Sequence, residues 1–164
     1  MSEALEGWTD FNVAMVGATA ALAGLLIVAM SVNIAEIMKS PTLPPRAAAS
    51  IAALVLALTA GAFGLVPGQP SIAYGIEVLV ATVLAAIFQW HAIRIVARED
   101  HVSTTDRILK SIAGILPIAA FLGGSLLVIA GSLEAGLTTM AVGSVLSIIA
   151  GLLFSWVVLV EVLR

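Results

Sequence analysis

Cysteine is absent from the 164 residues, which removes disulfides, thiolate metal sites and cysteine nucleophiles together. Histidine occurs only at positions 91 and 101, so a bis-histidine haem or a histidine-rich metal site has almost no material to be built from. Charge is scarce as well. Asp, Glu, Lys and Arg make up 10% of the chain, against about 25% in an ordinary soluble domain. With 61% hydrophobic residues and a mean hydropathy of +1.16, the chain has too little polar surface to face water on all sides, and lipid is its expected solvent. The sequence holds no phosphate loop, no Gly-x-Ser-x-Gly elbow, no His-Glu-x-x-His helix and no potassium-type selectivity filter. These absences leave no cofactor, no metal and no catalytic residue to expect. Enzyme activity is the least supported class, because no polar cluster converges.

What is present is a succession of long apolar runs separated by short breaks. They predict an all-α integral membrane protein, a bundle of about five transmembrane helices forming one domain over 1–164. The first run spans about 11–38 and ends where Pro41, Pro44 and Pro45 remove backbone donors. The second, about 45–66, stops at the turn Pro67-Gly68-Gln69-Pro70, and the third follows over about 71–97. The stretch 98–107 is the only strongly polar loop, and Ser103 with Asp106 has capping-box spacing for a fourth helix over about 105–131. A fifth helix is expected over about 136–163, after a break whose one charged residue is Glu134. Each run meets the roughly 20 residues that a hydrocarbon core of about 30 Å requires. The acidic opening Glu3, Glu6 and Asp10 lacks the basic character of a signal peptide, so the first run is expected to stay as a helix.

With five crossings all 7 Lys and Arg fall on one side: Lys39 and Arg46, then Arg94, Arg98, Arg107 and Lys110, then Arg164. The positive-inside rule makes that side cytoplasmic and places the N-terminus outside and the C-terminus inside. Trp8 and Tyr74 fall near the expected outer interface, and Trp90 and Trp156 near the inner one. Dispersed basic residues of this kind suit anionic lipid and give no sign of nucleic acid. A prokaryotic plasma membrane is the expected location, from the compact loops and the lack of organelle signals.

Two seams of small residues stand out. Gly17, Ala21 and Gly24, continued by Val28 and Ser31, share one face of the first helix; Asn12, Thr19 and Asn33 lie on the opposite face, which makes this helix the expected centre of the bundle. Gly136, Gly143, Ser147 and Gly151 share a face of the last, with Glu161 at its end. Such seams let backbones approach, within one chain or between copies of it. Pro117 interrupts the fourth helix and is its candidate hinge.

Three residues are candidates for an ion path: Asn33, Glu77 and His91. The last two are 14 residues apart, within about 40° of one helical face and about 21 Å apart along it, on a stripe completed by Ala81, Leu84 and Phe88. The plainer reading makes Glu77 and His91 interface residues at the two membrane surfaces, with Trp90 stacked on Arg94. The functional expectation is an oligomeric channel or small transport protein for a cation or proton. The alternative is a non-catalytic accessory or assembly subunit of a larger membrane complex. Membrane lipid, a second copy or a larger complex are the expected partners.

Overall fold

The computed structural model describes residues 7–98 and 104–162, the side chains of 104–111 and 161–162 excepted. Ser103, His101 and Arg164 therefore lie outside the described residues, as do the side chains of Asp106, Arg107, Lys110 and Glu161. Among the described residues there are five long helices: α1 (Thr9–Val32), α2 (Leu43–Gly64), α3 (Ser71–Val96), α4 (Thr104–Ile129) and α5 (Leu133–Val162). All five carry a stretch long and apolar enough to cross a membrane, and no strand occurs among the described residues. Many large apolar side chains are left exposed on them, such as Leu25, Val80, Ile87 and Leu152, a surface that suits lipid better than water.

The helix ends have local causes. The sequence predicts one helix to residue 38, but α1 stops at Val32 and a separate turn, Ile34–Ile37, follows. Asn33 makes the break: its side-chain amide donates to the Ala29 carbonyl at 3.0 Å, while its own carbonyl accepts from the amides of Glu36 and Ile37. The turn is closed by an ion pair from Lys39 to Glu36 at 2.7 Å. Pro44 and Pro45 sit in the first turn of α2, where missing donors cost nothing. Between α4 and α5 the chain reverses through Gly131 at φ 90°, a left-handed conformation that suits glycine. Ser132 donates to the Leu127 carbonyl and Gly131 to that of Val128, the paired bonds of a Schellman C-cap. This boundary, where the sequence offers one charge, is thus built from backbone geometry.

The helices run up and down in antiparallel succession. α2 packs against α1, α3 and α5, α3 against α4, and α4 most extensively against α5, so that α2 to α5 close a four-helix arrangement with α1 laid on its α2–α5 side. α2 is the most buried of the five and α1 the least, so the bundle is centred on the second helix rather than on the first, as the sequence suggests. The physical reason is composition: α2 carries alanine at 47, 49, 53, 57 and 60, all buried, and presents a thin surface in several directions.

Glycine sets the tightest crossing. A Cβ added at Gly136 would lie 2.8 Å from the Gly124 carbonyl oxygen, and one at Gly124 would lie 2.9 Å from that of Gly136, so α4 and α5 touch backbone to backbone. Buried hydroxyls are satisfied mostly by their own helices: Thr19, Thr82, Ser144 and Ser147 each donate to the carbonyl four residues earlier. Without water, that bond removes the penalty of a bare hydroxyl in apolar surroundings.

Candidate functional site

The two ends of the bundle can be named by residues. One holds Lys39, Arg46, Arg94 and Arg98, the basic end; the other holds the turns through Gly68 and Gly131. Toward the basic end, α2 to α5 part and leave a partly open cavity of about 270 Å³. Its α2 wall is Arg46, Ala49, Ser50 and Ala53; α3 contributes Gln89 and Ala92, and α4 contributes Ala113 and Gly114. Ala150, Leu153, Phe154, Trp156 and Val157 of α5 complete it. From Arg46 to Ala53 the cavity follows α2 for about 10 Å.

Spacing in α2 explains the polar wall. Arg46, Ser50 and Ala53 stand at i, i+4 and i+7 and so share a face. The Arg46 guanidinium lies 5.5 Å from the centre of the Phe154 ring, a cation–π arrangement at the rim. Deeper in, Ser50 is 9% exposed, and its hydroxyl has no hydrogen-bond partner among the described residues, unlike the buried hydroxyls of α1, α3 and α5. Gln89 leans its amide against Gly114, where any added Cβ would strike it. Ala113 lies four residues before Pro117, which has no N–H, so the Ala113 carbonyl loses its helical donor. A hydroxyl, an amide and a carbonyl thus belong to the lining of one otherwise apolar space.

The opposite half is filled. Tyr74, Val78, Phe121, Val128, Leu137 and Met140 form one buried cluster, and the Tyr74 hydroxyl points at the Met140 sulfur at 3.5 Å. Asn12 reaches in from α1, 7% exposed, and its amide nitrogen occupies the place a Gly64 side chain would take. A space of only about 10 Å³, beside Asn12, Tyr74, Met140 and Ser144, interrupts this layer.

The residues singled out from sequence fall in different places. Glu77 is half-buried and accepts a hydrogen bond from Gln69 of the preceding turn. His91 is exposed, and between the two Leu84 (57%) and Phe88 (51%) also face outward, so the stripe lies on the outside of a single chain. Arg94 stands 5.5 Å from the centre of the Trp90 ring beside it. Asn33 serves as the stop of α1. Of the small-residue seams, that of α5 packs within the chain: Gly136 on α4, Gly143 on Phe121 and Gly151 on Leu54, with Ser147 buried between. The seam of α1 does the reverse. Gly17, Ala21 and Gly24 are exposed, nothing lies within 4 Å of a Cβ placed at either glycine, and α1 buries Asn12, Met15, Thr19, Ala23 and Leu26 instead. Pro117 is fully buried within an unbroken α4, about one turn beyond the cavity.

Ser50, Gln89 and Ala113 are not apparent as a group in the sequence, because three helices bring them together. The one readable signal is the Arg46, Ser50, Ala53 face inside an alanine run. Comparison of the chain with models of protein families, with curated proteins and with solved structures finds no match.

Proposed function

We propose that the chain is a small multi-pass membrane transport protein, its basic end cytoplasmic by the positive-inside rule, and that its solute is taken up in the cavity among α2 to α5. The observation that supports this reading is the half-hollow bundle: a mostly apolar, partly open space with a few polar groups toward the basic end, and a filled apolar layer toward the other. Such an arrangement suits a protein that holds a solute from one side while the opposite layer keeps the membrane sealed. A cation or proton path along Glu77 and His91 belongs to an assembly of copies, since that face is external in one chain. A prokaryotic plasma membrane remains the expected setting.

An accessory-subunit reading draws on a different observation. Between α2 and α3 an apolar groove of about 520 Å³ runs along Ile51, Val55, Leu84 and Phe88, and with the bare α1 seam it offers surfaces for helices of a larger complex.

Reconstitution separates the two. Proteoliposomes of the purified chain, mixed rapidly with hyperosmotic glycerol or urea, should reswell several-fold faster than protein-free vesicles. Proton flux, read with an entrapped pH dye, tests the ion path in parallel. Vesicles no more permeable than lipid alone to all three would sink the transport reading, and co-purification with a larger complex would then favour the second.

A further inference from the structure

We infer that the cavity binds a neutral amphiphile, a small alcohol, phenol or ketone whose single polar group meets Ser50 and Gln89 while its apolar body lies against Ala49, Ala53, Leu153 and Phe154. This rests on the same cavity as the transport reading and names its ligand class. The Ser50 hydroxyl is nine-tenths buried and has no partner among the described residues, so it lacks the back-bond that buried Thr19, Thr82 and Ser147 all have. A buried hydroxyl left bare in a membrane interior is costly, and a ligand oxygen would remove that cost by accepting from it. Gln89 can donate or accept beside it, and the Ala113 carbonyl, which Pro117 deprives of its helical donor, is a ready acceptor for a ligand hydroxyl.

Size and charge narrow the class. At about 270 Å³ the space lies near the lower limit of ligand pockets, which suits a small molecule or the head and first carbons of a longer one. Among the described lining residues the only charged one is Arg46, at the rim and stacked on Phe154; the deeper groups are all neutral. An ion drawn down to Ser50 would be desolvated with no counter-charge among the described residues at that depth. A neutral molecule with one hydroxyl or carbonyl meets no such penalty.

The test is photolabelling of the purified chain in lipid nanodiscs with a diazirine-bearing octanol, adducts being located by mass spectrometry. Labelling is expected on the cavity walls, in the segments around Ala92 and Leu153, and octanol should compete it away at least tenfold better than octane or octanoate. Ser50→Ala and Gln89→Leu, without loss of stability, should each reduce cavity labelling several-fold. Equal competition by octane would remove the role of the polar group, stronger competition by octanoate would make the site one for anions, and labelling spread over the lipid-facing surface would remove the site; each overturns the inference. Labelling as expected in a protein without flux would leave the ligand class standing and end the transport reading. Flux without cavity labelling would do the opposite.

Discussion

The same helices, α2 to α5, are filled at one end and at the other enclose a cavity, beside which Leu43, Ala47, Leu54, Phe154 and Val158 pack with α1. Toward Gly131, small residues face backbone or a large partner: Gly124 meets Gly136, Gly75 meets Val128 and Ile129, and Gly143 meets Phe121. Toward Arg46, Ala49 and Ala53 of α2, Ala92 of α3 and Ala113 and Gly114 of α4 border a space that Gln89, Phe154 and Trp156 line without filling. A small residue therefore closes a helix pair only when the opposing surface fills the gap it leaves. Two small surfaces whose backbones do not touch leave a void. In a bilayer, where apolar contact gains little over lipid, packing of this kind decides where a bundle is dense.

The comparison can be broken most severely at the solid end. Gly136→Leu would thrust a side chain into the Gly124 carbonyl and should cost about 3 kcal/mol or more, read as a lowered midpoint in mixed-micelle unfolding. Filling the hollow end should act in the other direction. Ala53→Phe is expected to raise stability by roughly 1 kcal/mol while abolishing photolabelling of the cavity; a stability loss as large as that of Gly136→Leu would mean that this end is packed as well. Ser50→Ala removes a buried hydroxyl that has no hydrogen-bond partner among the described residues, so it should raise stability, by up to about 1 kcal/mol. Thr82→Ala, which removes a buried hydroxyl bonded at 2.7 Å, is the matching control and should cost about 1 kcal/mol. Smallest of all should be Gly17→Leu combined with Gly24→Leu, since neither position has a neighbour within 4 Å. Unchanged melting, with particle mass by light scattering read beside it, shows whether the seam holds copies together.

The number and order of the helices are legible in the sequence, because apolar length and proline breaks act locally. Boundaries shift where a side chain bonds its own backbone, as Asn33 does, or where one glycine caps a helix, as Gly131 does. The two seams look alike in sequence, and only packing separates them: the α5 seam meets α4 and α2, whereas α1 turns its Asn12, Met15 and Thr19 face inward. Polarity misleads there because buried Thr19 is silenced by the Met15 carbonyl at 2.7 Å, so a polar face can pack as an apolar one. The cavity was not legible. Its polar groups lie in three helices, one of them a carbonyl exposed by a proline four residues away, and no spacing within one segment brings them together.

The absence of native cysteine makes the decisive measurement simple. Single cysteines at Ser50, in the cavity, and at Ser144, in the closed layer and 5% exposed, can be treated in sealed vesicles with a small charged methanethiosulfonate. The half-hollow bundle predicts that Ser50→Cys reacts rapidly from the side of the basic end and slowly from the other, while Ser144→Cys is protected from both. Equal protection of the two positions, or reaction of Ser144→Cys from the side of the Gly131 turn, would contradict it.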